Sequence, residues 1–133
     1  MRLLTTALSI LLLFVAACHT INPKPGAASS TIFGEVTFPD SVTPPAGTVL
    51  LISLVEIQSD SVLARMSIRN VDQDPLAFTL TYDPKFVRDD GTYGVVVGAY
   101  VGSLLRYNND PRKARVDSDR LTQRVTVQLE RAN

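Results

Sequence analysis

From residue 31 onward, apolar side chains recur at every second position. Ile32, Val36 and Phe38 share a face with Gly34, while Glu35 and Thr37 take the other. Val62, Ala64, Met66 and Ile68 alternate with Arg65, Ser67 and Arg69, and Leu76, Phe78, Leu80 and Tyr82 alternate with Ala77, Thr79 and Thr81. Near the end, Val125, Val127 and Leu129 oppose Arg124, Thr126, Gln128 and Glu130. A period of two is the mark of strands with one buried face. Residues 48–57 are apolar on both faces, which predicts a central strand. Residues 92–101 are rich in Val and Tyr, with Gly94 and Gly98 leaving gaps that a neighbour or a bulge can occupy. Residues 104–107 give a short further strand. Pro, Gly, Asn and Asp clusters punctuate these runs, among them Pro39 with Asp40, residues 44–47, 59–61 and 108–111, and the pairs Asp74-Pro75 and Asp83-Pro84. A helical turn is expected within residues 83–90. About seven or more short strands, with no credible long helix, predict an all-β protein folded as an antiparallel β-sandwich.

The first twenty residues do not follow this pattern. Arg2 supplies a positive start, residues 8–15 form an apolar run broken only by Ser9, and the small residues Ala16 and Ala17 follow. This is the layout of a secretory signal peptide, and the run is shorter than the roughly 20 residues of a membrane-spanning helix. Val15, Ala16, Ala17 and Cys18 in succession resemble the bacterial lipobox, in which the Cys thiol takes a diacylglycerol and becomes the first residue of the mature chain. The alternative is an ordinary secretory signal with a Cys beside its cleavage site. Lipidation at Cys18 would anchor the chain, because two or more acyl chains hold stably at about 0.8 kcal/mol per buried methylene. His19 stands where an Asp would favour retention in the inner membrane, so the expected location is the outer membrane, with the domain facing the periplasm. The chain then divides into a signal peptide at 1–17, a flexible tether at 18–30 and a β-sandwich domain at 31–133.

Composition narrows the function. The chain has 133 residues, 13 basic and 13 acidic, with one His, one Cys and no Trp. One domain fits that length, and a net charge of zero argues against nucleic acid as a partner. A lone Cys makes no internal disulfide and no zinc site by itself. The only imidazole, His19, lies on the tether, where nothing orients it as a catalytic base. Asp72 with Asp74 and Asp89 with Asp90 are the carboxylate pairs that could serve acid–base chemistry or calcium, yet all sit in turn sequences where Asp occurs for backbone reasons. No phosphate-cradling Gly-rich loop is present. The expectation is a non-enzymatic protein with no cofactor, no metal and no small-molecule substrate.

Charge is uneven along the chain. Residues 18–105 carry 5 basic and 9 acidic side chains, and residues 106–133 carry 7 and 4. A patch around Arg112, Lys113, Arg115, Arg120 and Arg124 would complement an acidic protein segment or lipid phosphates.

A family resemblance rests on the same residues. Ile32-x-Gly34-x-Val36-Thr37-Phe38, then Pro44-Pro45, then the strand at 48–57 closing at Ser59-Asp60, resemble the front half of the YbaY/YscW family of small lipoproteins. The back half adds Phe78-x-x-x-Tyr82-Asp83-Pro84, Gly91-x-Tyr93, Leu104-Leu105 and Asn109-Asp110. After Asp110 the chain departs from that pattern, with Pro111-Arg-Lys-Ala-Arg115 in place of a more apolar segment. The resemblance implies a β-sandwich lipoprotein without enzymatic activity. Relatives include lipoprotein chaperones, or pilotins, that help type III secretion secretins reach or assemble in the outer membrane, beside envelope lipoproteins of other kinds.

The resulting expectation is a lipid-anchored binding module, chaperone- or pilotin-like, for an outer-membrane or secretion-system client. A structural or stress-related envelope lipoprotein is the alternative, or a secreted β-domain protein if the lipobox is accidental. The expected partner surface is Leu104, Leu105, Tyr107, Arg112, Lys113 and Arg115, read as a short edge strand with the basic loop after it. For the matched residues, the reading is structural. Asp83 caps a turn preset by Pro84, Gly91 takes a positive φ to end the loop, and Tyr82 and Tyr93 sit half-buried with their hydroxyls at the surface or on a loop carbonyl.

Overall fold

The computed structural model describes residues 29–39, 43–120 and 122–133. The signal peptide, Cys18, nearly all of the tether and Asp40 lie outside these residues. Among the described residues, nine strands make two sheets: β1 (Ser30–Thr37), β2 (Thr48–Glu56), β3 (Val62–Ile68), β4 (Leu76–Tyr82), β5 (Tyr93–Val101), β6 (Leu104–Asn108), β7 (Arg115–Val116), β8 (Thr122–Gln128) and β9 (Glu130–Arg131). The smaller sheet has the order β4-β1-β8. The larger has the order β3-β2-β5-β6-β9, with β7 also pairing β5. The period-two reading is correct except at the start of β3, where a register shift turns Val62 to the outer face and brings Leu63 against the core, and β2 is central, between β3 and β5. Pairing is antiparallel except between β1 and β8, which run parallel. That pair joins the two ends of the domain sequence, and no local turn dictates its direction.

The inward faces close on one core. Ile32 and Val36 of β1, Leu50, Ile52 and Leu54 of β2, Val95 and Val97 of β5, and Val127 and Leu129 are fully buried. Each such side chain stabilises the fold by about 1.5–3 kcal/mol relative to exposure. Gly34 lies opposite Phe78 in the β1–β4 register, and a Cβ at this glycine would fall within the Phe78 ring. The missing side chain is therefore the space into which the aromatic ring packs.

The far side of β5 is completed in pieces. β6 pairs with Gly98 to Val101, and β7 pairs with Tyr93 and Gly94. Between them the side-chain amide of Asn109 takes the place of a strand. Its Oδ1 accepts from the Val97 N–H at 2.7 Å, and its Nδ2 donates to the Val95 carbonyl at 2.8 Å. The Val95 N–H donates to the Ala114 carbonyl at 2.9 Å. No backbone polar group in this stretch need stay unpaired.

Residues 83–92 cross from one sheet to the other at the end of the sandwich where β1 begins. The expected helical turn is a 3₁₀ turn, Pro84–Phe86, capped by Asp83, whose Oδ1 accepts from the Lys85 N–H at 3.0 Å. Two details differ from expectation. Tyr82 and Tyr93 are almost fully buried, Tyr93 only 2% exposed. Burial of Tyr93 is sustained because its hydroxyl accepts from the Arg88 N–H at 2.8 Å, leaving the phenol satisfied inside. Among the described residues, the glycines with positive φ are Gly47 and Gly102. Gly91 is needed for a different reason: a Cβ there would collide with the Tyr93 hydroxyl.

Three outcomes are expected from this packing. Gly34→Ala should destabilise the domain by about 1–3 kcal/mol, the usual effect of overpacking. In a double-mutant cycle with Phe78→Leu, urea unfolding should show coupling above about 0.5 kcal/mol, and additivity would contradict the contact. Asn109→Ala should cost about 2–4 kcal/mol, because a donor and an acceptor are both left without partners. Amide exchange should then accelerate at Val97 more than at Val95, whose N–H keeps its own acceptor. Asp83 is held below the usual carboxylate range by the Lys85 amide and then by the Lys85 ammonium. Its capping contribution is complete above the ordinary Asp value and is lost as pH falls through the lowered one. An NMR titration of the Lys85 amide from about pH 6 to about pH 2 should give a midpoint below about 3.9.

Candidate functional site

The two solvent faces of the sandwich differ in chemistry. The small sheet turns Thr31, Glu35, Thr79, Thr81, Arg124 and Thr126 outward around an exposed Phe33. The large sheet turns apolar residues outward: Val49, Leu51 and Val55 on β2, Val96 and Tyr100 on β5, and Leu105 on β6. β2 has apolar residues on both faces, and only one of those faces meets the core.

At the centre of this outer face is a depression of about 250 Å³ lined by Leu51, Val55, Val62, Val96, Tyr100 and Leu105, with polar edges from Ser53, Arg65, Asn108 and Asn109. Arg65 is the one charged side chain among the described residues lining it. Its Nε donates to Ser53 Oγ at 3.3 Å, which draws the aliphatic stem across the sheet. The two glycines of β5 shape the ends. Gly94 accommodates the Pro111 carbonyl, so the Pro111–Lys113 turn sits over the sheet there, and Gly98 leaves room for the Tyr100 ring and Leu105. The gaps anticipated at these glycines are filled as expected.

The residues singled out from sequence are distributed around this face. Leu105 lines the depression, while Leu104, 55% exposed, stands at the tip of the β5–β6 hairpin. Tyr107 turns the other way, its ring meeting Phe38 edge-on at 5.5 Å. β6 is not the last strand of its sheet, since β9 pairs with Tyr107 and Asn108. Arg112 lies 3.8 Å from Asp110, and Lys113 lies 2.7 Å from Glu130, whose hydrogen bond and charge raise the lysine pKa. Arg115 is exposed on β7, opposite Gly94. Sequence reasoning missed Leu51, Val96 and Tyr100 as surface residues, because an apolar position in a strand does not say which side of the sheet meets the core.

Other hollows are more polar. One of about 720 Å³ is lined by Thr37, Phe38, Thr43, Pro44 and residues 72–75. Asp74 serves the fold there, accepting from the Phe38 N–H at 3.1 Å. Among the described residues, no three of His, Cys, Asp and Glu gather as a metal-holding group.

By sequence, no curated protein matches the chain. A solved structure described as that of an alternative pilotin from the type II secretion system of Vibrio cholerae superposes with a TM-score of 0.63. It is 20% identical, and the match covers 78% of this chain and 99% of that one, a likeness of fold. A sequence model of the family described as type III secretion system lipoprotein chaperone (YscW) matches residues 27–110, ending at the Asp110 after which the chain departs from the family pattern. That span covers well over half of the chain, which belongs to the YscW family.

Proposed function

We propose that this protein is a lipid-anchored chaperone, pilotin-like in role, for an outer-membrane protein of a secretion system. The anchor is Cys18, and the client rests on the outer face of the large sheet. The observation that carries this reading is the depression on that face, with apolar walls at Leu51, Val96, Tyr100 and Leu105 and a single Arg at its edge. Desolvated apolar centres with polar rims are what protein partners bury. Membership of the chaperone family supports the client class, and the pilotin fold supports a binding role in place of catalysis. Arg112 and Arg115 extend the same surface at the Pro111 turn, where Lys113 is engaged by Glu130, and Leu104 extends it at the opposite end, at the hairpin tip. Tyr107 is left to the core.

Two measurements test the two halves. Cys18→Ser should abolish the acylated mass and remove the chain from the lipoprotein fraction of the outer membrane, while residues 31–133 fold unchanged by circular dichroism. A mature N-terminus other than Cys18 would end the anchoring half. Leu51→Glu or Val96→Glu should leave the fold intact and reduce co-purification with the secretion-system ring protein by about tenfold or more, the factor that corresponds to 1.4 kcal/mol. Undiminished capture by both variants would remove this face from the proposal.

A further inference from the structure

The most exposed large apolar side chain among the described residues is outside that face. Phe86 is 60% exposed at the last position of the Pro84–Phe86 turn. Its loop is braced. The Asp83 carboxylate caps the turn at the Lys85 N–H, Pro84 fixes its first residue, and the buried Tyr93 hydroxyl accepts from the Arg88 N–H. Lys85 Nζ lies 4.9 Å from the Phe86 ring centroid and 3.3 Å from an Asp83 oxygen. Fixed from both sides, the ring is presented to solvent on a rigid support, and no core residue claims it.

The position of this loop is informative. β1 begins at Ser30, which pairs with Tyr82, the last residue of β4, and Asp83 follows directly. The chain therefore enters the domain beside the loop that carries Phe86. Eleven residues lie between Cys18 and Ser30, and the twelve steps they make span at most about 40 Å when fully extended. If Cys18 carries the lipid, this end of the sandwich is held within that distance of the bilayer, and Leu104, beside Val101 and Thr48 at the other end of β5 and β2, lies a strand length farther from the point of entry.

We infer that Phe86 is a second membrane contact: its ring enters the interface of the bilayer that holds the Cys18 acyl chains and orients the domain upon it. The inference rests on the anchoring reading above. Tethering supplies an effective concentration on the order of millimolar, so a single aromatic ring suffices to set orientation although it would not recruit a free protein. An aromatic body with a cation beside it suits the headgroup level. The attraction is apolar, not electrostatic. Asp83 and Asp90 are matched by Lys85 and Arg88, while Asp60 and Asp89 at the same end have no ion-pair partner among the described residues. An anionic surface has nothing to gain here and the unmatched carboxylates oppose it, so anionic lipid is expected to weaken the contact and added salt to relieve that weakening.

The natural absence of Trp makes the test direct. Phe86→Trp and, as a far-end control, Leu104→Trp are each introduced into the full lipidated chain, whose acylation is verified by mass. Each is reconstituted in phosphatidylcholine vesicles with and without phosphatidylglycerol. Trp at 86 should show blue-shifted emission and quenching by brominated acyl chains, unchanged by salt in phosphatidylcholine alone and no stronger with phosphatidylglycerol, and Trp at 104 should show neither. Absence of quenching at 86 in a chain of verified acylation overturns this inference and leaves the anchor standing. Equal quenching at both sites, quenching only with anionic lipid, or a blue shift without bromide quenching each overturns it as well. An unmodified Cys18 overturns the anchor and this contact together.

Discussion

The amide of Asn109 bonded to the backbone of β5 is the interaction on which the large sheet depends. β5 supplies Val95 and Val97 to the core and Val96 and Tyr100 to the outer face, so both surfaces of the sheet take their shape from it. Its outer edge would otherwise carry an unpaired N–H and carbonyl between β6 and β7, inside a packed protein where such groups are costly. One side chain supplies both a donor and an acceptor at 2.8 and 2.7 Å, the pairing a strand residue would give. Because Asn109 replaces a strand there, the chain is free to lift away into the Pro111–Lys113 turn and cover Gly94. The depression on the outer face owes one of its ends to that detour.

The division of labour between the faces follows from which side of each sheet is covered. The small sheet meets water with threonines, charges and one phenylalanine, as a solvated face usually does. The large sheet instead keeps Leu51, Val55 and Val96 outward around Arg65. Ion pairs elsewhere, such as Lys113 with Glu130, are exposed and add little stability, but they occupy cations that a composition count would assign to a partner. Arg65 differs in being tied to a serine hydroxyl, which leaves its positive charge unmatched by a described carboxylate.

The two ends of the sandwich are also unlike. The end where β1 begins holds the braced loop with Phe86, and the opposite end holds the hairpin tip with Leu104. If Cys18 carries the lipid as proposed, this polarity gives the two ends different neighbours. The loop beside the point of entry would then lie toward the anchoring surface, and the sheet face between the ends would be left for the proposed client.

Much was determined by the sequence alone. Strict alternation at Ile32, Val36, Phe78, Leu80, Val125 and Val127 specified strands and their buried sides, since a one-residue slip would expose the whole set. Asp83 before Pro84 specified a capped turn, because both the carboxylate and the fixed φ act within three residues. Only the tertiary structure decided the rest. The pairing of β1 with β8 joins segments 91 residues apart, such as Thr31 with Thr122, and no local signal encodes it. Gly91 was legible as a special position but not for its true cause, since Tyr93's hydroxyl approaches it only after the phenol is buried. The basic residues after Asp110 could be counted but not paired, because Glu130 reaches Lys113 through the fold. Whether Leu51 faced core or solvent was likewise undetermined, because alternation shows that two faces exist and only the second sheet decides which of them is covered.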